Sequence, residues 1–254
     1  MAQFNDISAV VIKNHPITEG HYLLTVRLSE TPFDAKPGQF VMIKVPSPEV
    51  FLRRPFSIYD YKRGALSVLY KVSGTGTAAL TSAQPGSEVM VLGPLGKSFT
   101  PLPRHQYVIV SGGIGLAGVH YLWSALRGRG LFYWGCSGEA DSALISGLSH
   151  GENNIATMDG SSGCQGNVVD LLAQHLPAIK RPFQVFACGP EPMFRALKEL
   201  LDPEQPPCQI LVEERMACGI GVCFGCVKKT TDASEPYKRV CKEGPVFDLW
   251  QTSL

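Results

Sequence analysis

The first hundred residues alternate between apolar and polar positions with a period of two, which is typical of half-buried β-strands. Five segments show this pattern: ISAVVIK (7–13), HYLLTVRL (21–28), QFVMIKV (39–45), LSVLYKV (66–72) and EVMVLG (88–93). Turns that contain glycine or proline separate them, and one short helix is expected at about 77–83, ended by Pro85-Gly86. Many short strands with such turns predict a small antiparallel β-barrel.

The pattern changes from Tyr107 onward. Continuous apolar runs now alternate with segments of helical periodicity. The apolar runs are YVIVS, LFYW, NIATM, FQVFA and QILVEE, and the helical segments are LAGVHYLWSALR, NVVDLLAQHL and PEPMFRALKELL. This alternation predicts an open, doubly wound α/β sheet. Pro101 and Pro103 mark the boundary between the two halves, and a second boundary falls near Pro203, before a strand at 209–213 that is still expected to belong to the sheet.

Four cysteines near the end of the sequence have a diagnostic spacing. They are Cys218, Cys223, Cys226 and Cys241, in the pattern C-x4-C-x2-C followed by fourteen residues and the last cysteine. Plant-type ferredoxins use this spacing for a [2Fe-2S] cluster. Glycines between the first three cysteines allow positive φ and let backbone N–H groups approach the sulfur atoms. A structural zinc site is the alternative, but such sites usually take paired C-x2-C knuckles, and the sequence has one such pair. The pattern therefore predicts an iron–sulfur cluster and an electron carrier.

Composition limits the remaining possibilities. The 254 residues suffice for two domains and an appendage, and the net charge of +1 argues against a nucleic acid partner. No run of 18 apolar residues occurs, and the N-terminal MAQFNDISAV has no basic region followed by an apolar run. We therefore expect no contact with a membrane and a cytoplasmic location. The other cysteines, which have no short spacings, are expected to be reduced thiols: Cys136, Cys164, Cys188 and Cys208.

Two motifs of the first half could hold a phosphate group, and a third follows them. RRPFSI (53–58) begins a strand, and an arginine beside a hydroxyl can bind phosphate, although an arginine pair on a strand is more often a solvated edge. SGTGT (73–77) leads into the short helix, whose first N–H groups suit a pyrophosphate or are simply capped by a serine or threonine among loop glycines. GPLGKSF (93–99) follows as the third motif, and by itself it is consistent with a turn.

Two motifs of the second half lie where a strand ends and a helix begins, the usual place for a dinucleotide. SGGIGLAG (111–118) is rich in glycine but does not match G-x-G-x-x-G, so that a packing role is equally consistent. In ACGPEPM (187–193), Cys188 is either a buried apolar filler or a residue at the ligand-binding edge of the sheet.

Together, in this order, these motifs resemble the ferredoxin–NADP reductase superfamily. In that superfamily, R-x-[YF]-[ST] and a G-x-G-T turn hold FAD on a barrel, while a G-G-x-G turn and C-G-P-x-P-M hold a nicotinamide nucleotide. The resemblance extends from PGQF (37–40) to the C-terminus. EERMACGIG (213–221) and VCKEGPVF (240–247) are especially similar to the electron-transfer subunits of class 1B dihydroorotate dehydrogenases.

The resemblance implies three regions: an FAD-binding barrel at 1–101, an NAD-binding α/β domain at 102–213 and a plant-ferredoxin-like [2Fe-2S] segment at 214–254. A six-stranded antiparallel barrel and a doubly wound parallel sheet are the implied folds. The implied FAD contacts are Arg54, Pro55, Phe56, Ser57, Leu69, Tyr70, Lys71, Gly76 and Thr77. The implied nicotinamide nucleotide contacts are Gly112, Gly113, Gly115, Cys188, Gly189 and Pro190. The cluster ligands are the four cysteines of the C-x4-C-x2-C pattern.

At the end of the second strand of this domain, GCSGE (135–139) offers no arginine for a 2′-phosphate, which favours NAD over NADP. Glu139 is either an acceptor for a ribose hydroxyl or an exposed turn residue.

A flavin connects two-electron hydride chemistry with one-electron transfer. The resemblance implies that electrons pass from the FMN of a catalytic, dihydroorotate-oxidising partner subunit through the [2Fe-2S] cluster and FAD to NAD⁺, in pyrimidine biosynthesis. It implies a heterotetramer with two copies of each subunit. The dihydroorotate site of relatives lies in a (β/α)8 barrel, which takes about 250 residues, so that no catalytic residue for dihydroorotate is expected in this chain.

Two alternatives stay open. The same modules occur in flavin–cluster subunits of hydrogenases and of ferredoxin–NADP transhydrogenases, and a zinc-stapled binding module could keep the fold alone.

Overall fold

The computed structural model of the chain describes residues 6–29, 33–148 and 153–254. Residues 1–5, which belong to the N-terminal stretch that argued against export, lie outside the described residues. In the described part, no helix is long and apolar enough to cross a membrane.

Seven short antiparallel strands form the first sheet, in the order β4-β3-β7-β1-β2-β6-β5. Their bounds are β1 (Asp6–Thr18), β2 (His21–Leu28), β3 (Phe40–Lys44), β4 (Arg54–Ser57), β5 (Asp60–Lys62), β6 (Ala65–Lys71) and β7 (Glu88–Leu95), and helix α1 (Thr75–Leu80) lies between β6 and β7. β4 and β5 are two parts of one bent segment, which pairs with β3 at its start and with β6 at its end. The N–H of Tyr59, between them, donates to the carbonyl of Ser67. This segment closes the sheet, so the predicted six-stranded antiparallel barrel is confirmed.

Two elements of the barrel differ from their sequence-based bounds. β1 continues past Lys13 to Thr18. Pro16 has no N–H to donate, and a register shift directly after it accommodates the proline within the strand. α1 begins at Thr75 rather than at about residue 77. The cause is the hydroxyl of Thr77, which accepts the N–H groups of Ser73 and Gly74 at 2.9 and 3.2 Å and so caps the helix from within its first turn.

The second sheet is parallel over six strands, in the order β11-β10-β9-β8-β12-β13. Its elements are β8 (Gln106–Gly112), α2 (Leu116–Ala125), β9 (Leu131–Cys136), β10 (Asn153–Thr157), β11 (Cys164–Gln165), α3 (Val168–His175), β12 (Phe183–Cys188), α4 (Glu191–Leu201) and β13 (Cys208–Leu211), with 3₁₀ turns at Gly113–Gly115, Glu139–Gly147 and Leu176–Ala178. Ile109 of β8 packs on the α2 side, whereas its neighbours Val108 and Val110 pack on the side of α3 and α4. Helices on both faces explain the continuous apolar runs, and the predicted doubly wound sheet is confirmed.

The C-terminal segment is joined to this sheet. β14 (Val227–Lys229) and β15 (Tyr237–Arg239) form a hairpin, and β16 (Val246–Asp248) pairs antiparallel with β13. The sheet is therefore parallel except for one antiparallel edge strand. Trp250 adds a hydrogen bond from its indole N–H to the carbonyl of Pro206 at 2.9 Å. The boundary at 213/214 stays a prediction.

Specific contacts hold the barrel against the α/β domain. The buried amide of Gln184 accepts the N–H of Leu102 at 2.7 Å and donates to the carbonyl of Thr100 at 3.1 Å, which fixes the linker. His120 of α2 stacks on Tyr59 with ring centroids 3.7 Å apart, and its Nδ1 lies 2.9 Å from the Tyr59 carbonyl oxygen. These contacts join the two units.

Candidate functional site

The four cysteines of the C-terminal segment lie together as two pairs. Cys223 donates its backbone N–H to the sulfur of Cys218 at 3.4 Å, and Cys241 donates its N–H to the sulfur of Cys226 at 3.4 Å. Within each pair the two side chains are close enough for one thiol to shift the pKa of the other. The loop makes this approach possible because Gly219 has φ +70 and lies against β3, where a Cβ would be 2.6 Å from the Cγ of Met42.

Backbone N–H groups in this loop are directed at sulfur. Burial opposes ionisation of Cys218, but the combined hydrogen bonds from the loop, that of Cys223 foremost, lower its pKa to about 6. Burial and the neighbouring Cys226 thiol raise the pKa of Cys241 to about 12. N–H donors aimed at sulfur suit ligands that carry negative charge as thiolates.

The pairing fits a two-iron cluster, because each iron of a [2Fe-2S] cluster takes two protein thiolates. Within the described ranges, no three or more His, Cys, Asp or Glu side chains surround a single metal position. Two pairs of thiols are what the predicted cluster requires.

A cavity of about 240 Å³ lies where the barrel meets the α/β domain. Seven of the nine residues implied for FAD line it: Pro55, Phe56, Ser57, Leu69, Tyr70, Lys71 and Thr77. Residues of the cluster segment, Met216 and Pro245, line it as well. The cavity therefore borders all three regions of the chain.

The aromatic wall of this cavity is held in place by its neighbours. Tyr70 stacks on Tyr22 and meets Phe56 edge-on, each with ring centroids 5.7 Å apart. The hydroxyl of Tyr70 donates to the Asn14 side chain at 3.1 Å, and burial raises the pKa of Tyr70 to about 12. A rigid wall of this kind suits a flat aromatic ring.

The other two residues implied for FAD, Arg54 and Gly76, pack against each other beside the cavity. A Cβ on Gly76 would be 2.5 Å from the Nε of Arg54. The guanidinium of Arg54 is further held by its donation to the carbonyl of Leu52 at 2.7 Å. The absence of a side chain at Gly76 thus creates the place that the guanidinium occupies.

A larger cavity of about 770 Å³ lies at the carboxyl end of the parallel sheet. Five of the six residues implied for the nicotinamide nucleotide line it: Gly112, Gly113, Gly115, Gly189 and Pro190. Gly115 also has a packing role, because a Cβ there would collide with the carbonyl of Cys188. Binding and packing are therefore not exclusive interpretations of this glycine-rich turn.

Cys188, the sixth of these residues, is buried at the end of β12. A Cβ on Gly118 would be 2.8 Å from its sulfur and 3.0 Å from Leu211, so that the thiol lies against α2. Burial raises the pKa of this thiol well above its usual range. The structure thus places the sulfur in the packing between sheet and helix, and a role beside the nicotinamide stays a prediction.

Glu213 is a site residue that the sequence reasoning missed. It lies two residues after the end of β13 and lines both cavities. Desolvation by neighbouring protein atoms raises the pKa of its carboxyl, although its side chain is exposed to solvent. An acidic residue close after a buried parallel strand could have signalled it, since ligands bind at that edge of the sheet. In the segment after β9, Asp141 rather than Glu139 lines the larger cavity.

Comparison with known proteins gives concordant matches. Residues 213–253 match the family described as the iron-sulfur cluster binding domain of dihydroorotate dehydrogenase B. The chain is 39% identical to the dihydroorotate dehydrogenase B (NAD(+)) electron transfer subunit of Geobacillus thermodenitrificans, over 96% of this chain and 97% of the relative. It is 40% identical to the protein of the same name from Bacillus caldolyticus, over 94% of this chain and 95% of the relative.

Solved structures agree in fold. A chain of the NADH-dependent reduced ferredoxin-NADP oxidoreductase superposes with a TM-score of 0.84 at 23% identity, over 96% of this chain and 89% of that one. The cytochrome P450 reductase of Amycolatopsis gives a TM-score of 0.66 at 21% identity, over 80% of this chain and 67% of that one. At these identities the likeness concerns the fold alone.

Proposed function

Because the chain belongs to the family of dihydroorotate dehydrogenase B (NAD(+)) electron transfer subunits, we propose that it carries electrons between a dihydroorotate-oxidising partner subunit and NAD⁺. It is a flavin and iron–sulfur oxidoreductase subunit that uses FAD, a [2Fe-2S] cluster and NAD⁺. The observation that carries this function is the pairing of the four thiols inside the residues that match the cluster-binding family. When bound, the flavin exchanges hydride with nicotinamide and single electrons with the cluster.

The cluster segment would hold its group through Cys218, Cys223, Cys226 and Cys241. The N–H donors of the loop stabilise charge on sulfur, and burial of Cys226 and Cys241 keeps water from that side. Met216 and Pro245 bring the same segment to the wall of the smaller cavity. The chain thus keeps the two proposed redox sites adjacent.

The barrel would bind FAD in the smaller cavity. Ser57 and Lys71 offer polar contacts among the apolar side chains of Phe56, Leu69 and Tyr70, which exclude water from one face of a flat ring. Arg54, placed by Gly76, would supply a positive charge for the FAD phosphates.

The larger cavity would bind the nicotinamide nucleotide. Gly112 and Gly113 bring backbone N–H groups to its wall, and Gly189-Pro190 closes the side near α4. Glu213, between the two cavities, would face both the flavin and the nicotinamide sites. These assignments predict that hydride would pass between the nicotinamide and the flavin where the two cavities meet.

The partner would bind at the cluster loop. Val222 and Phe224 are 72% and 61% exposed beside the cysteines, and Tyr237 of β15 is 63% exposed. Apolar side chains exposed around a redox centre are typical of a protein interface. We propose an FMN-containing catalytic subunit here, with two copies of each subunit in the assembly.

Co-expression with a dihydroorotate-oxidising subunit tests this function. The purified complex should reduce NAD⁺ when dihydroorotate is added and form orotate in equal amount, whereas the partner alone should not reduce NAD⁺. A Phe224→Ser variant should lose the complex, and a Lys229→Ser variant at an exposed, charged position should keep it. Exchange of electrons between ferredoxin and NADP⁺, without any dihydroorotate-linked activity, would instead identify a transhydrogenase subunit.

A further inference from the structure

Lys228 of the cluster segment reaches into the nucleotide cavity. β14 begins directly after the cluster ligand Cys226, and side chains alternate in direction along it: Val227 and Lys229 are exposed, whereas the side chain of Lys228 is 14% exposed. Lys228 lines the larger cavity together with the glycines of the turn after β8. A residue next to the cluster therefore forms part of the proposed nucleotide site.

The ammonium of Lys228 contacts Glu191 in the first turn of α4. Its Nζ lies 2.8 Å from Oε2 of Glu191, whose Oε1 accepts a hydrogen bond from Arg195 at 2.6 Å. Two cations thus face one carboxylate, and the hydrogen bond from Lys228 followed by that from Arg195 lowers the pKa of Glu191. Because an ammonium has three donors, Lys228 can hold Glu191 and still donate to a second acceptor.

The charges that line the cavity indicate what this second acceptor would be. Among its described lining residues, the acidic ones are Asp141, Glu191, Glu213 and Glu214, and the lysines are Lys71 and Lys228. Lys71 also lines the smaller cavity, on the barrel side. A dinucleotide brings the two negative charges of its pyrophosphate into this acidic wall, so a cation on the α4 side would offset them.

We propose that Lys228 is a positioning residue for the pyrophosphate of the nicotinamide nucleotide. The cluster segment then contributes directly to nucleotide binding. This inference rests on the proposed function, because it requires that the larger cavity be the nucleotide site. The alternative role for Lys228 is a tether, in which its ion pair with Glu191 only fastens the cluster segment to α4.

Calorimetric titration of the holoprotein with ADP-ribose separates these roles. ADP-ribose carries the pyrophosphate but no nicotinamide, so that no redox reaction accompanies binding. Lys228→Gln should raise the Kd about 10- to 150-fold, the range for loss of a charge-assisted hydrogen bond, whereas Lys228→Arg should stay within a few-fold of the wild type. Glu191→Gln should leave the Kd equal or lower, because it removes a negative charge and frees the lysine. Lys229→Gln, one residue away and exposed, is the matched control and should have no effect.

Iron content and thermal stability are measured for each variant, so that loss of the cluster or of the fold is recognised. An unchanged Kd in Lys228→Gln, with the cluster intact, would overturn the inference. An equal rise in the Kd for ADP-ribose in Lys228→Gln and Glu191→Gln would overturn the inference in favour of the tether. If the wild type itself failed to bind ADP-ribose, the assignment of the nucleotide cavity would be wrong, and the inference would be lost together with it.

Discussion

Replacing Gly76 with alanine should weaken FAD binding without destabilising the fold. A Cβ at this position would be 2.5 Å from Nε, 3.0 Å from Cζ and 3.1 Å from the terminal NH2 nitrogen of Arg54. Ordinary contact needs about 3.5 Å, so that the guanidinium must move by about 1 Å. Hydrogen bonds tolerate about 0.5 Å of variation in length. An arginine moved that far cannot keep a hydrogen bond to a phosphate bound in the original position.

The expected loss is that of one charge-assisted hydrogen bond, about 1.5–3 kcal/mol, which is about a 10- to 150-fold higher Kd for FAD. The stability of the flavin-free protein should change in the opposite direction. Gly76 lies inside α1, where alanine is favoured over glycine by about 0.5–1 kcal/mol, and the flexible end of Arg54 can move aside at little cost.

Gly74 provides a matched control in the same turn. A Cβ at Gly74 meets no atom within 4 Å, and its φ of -174 suits any residue. Reconstitution of flavin-free protein, followed by quenching of FAD fluorescence, gives the Kd of each variant. Gly76→Ala should weaken binding, Gly74→Ala should not, and Gly76→Ala should have little further effect in an Arg54→Ala background. Equal Kd values for Gly76→Ala and the wild type would refute this assignment of Arg54.

Three further predictions concern other regions. Cys223→Ser should lose iron, measured chemically, while FAD remains bound, because Cys223 lies outside the flavin cavity. Joint loss of iron and FAD from a folded chain would contradict the separation of the two sites. Gly118→Ala should lower the free energy of unfolding by about 1–3 kcal/mol, because the added Cβ would be overpacked against the Cys188 sulfur. Cys188→Ala in the same chain should restore part of this free energy, and absence of the rescue in urea unfolding would refute the contact. Desolvation raises the pKa of Glu213 although solvent reaches its side chain, so that a small penalty for its charge is absent below the unfolded pKa of about 4 and grows as the pH rises toward the folded value. Glu213→Gln should therefore raise the Tm of flavin-free protein slightly at pH 7 but not near pH 4, and an equal effect at both would contradict a raised pKa.

The sequence predicts the two sheets well because burial alone generates their patterns. β2 has the same bounds, His21–Leu28, in the pattern and in the structure, since one of its faces is buried and the other is less so. β12 reads as an apolar run, broken only by Gln184, because helices cover both faces and all six residues are buried. The cysteine spacing is equally informative, because four thiolates can reach two irons through only a few loop lengths.

Other features depend on contacts between distant parts of the chain, which leave no pattern in the local sequence. β16 has three residues, too few for a periodicity, and its pairing with β13 is fixed by the docking of the whole C-terminal segment. The direction of the Cys188 thiol depends on the space left by Gly118 on another element. Lys228 enters the nucleotide cavity because of the hairpin that carries it, and a sequence of two adjacent lysines cannot show which one points inward.

Analysis of iron, acid-labile sulfide and flavin in the anaerobically purified protein tests the central claim most directly. The account predicts two irons and two sulfides, as the definition of a [2Fe-2S] cluster requires, together with one FAD in each chain. A colourless protein, or one that contains zinc without sulfide, would contradict it.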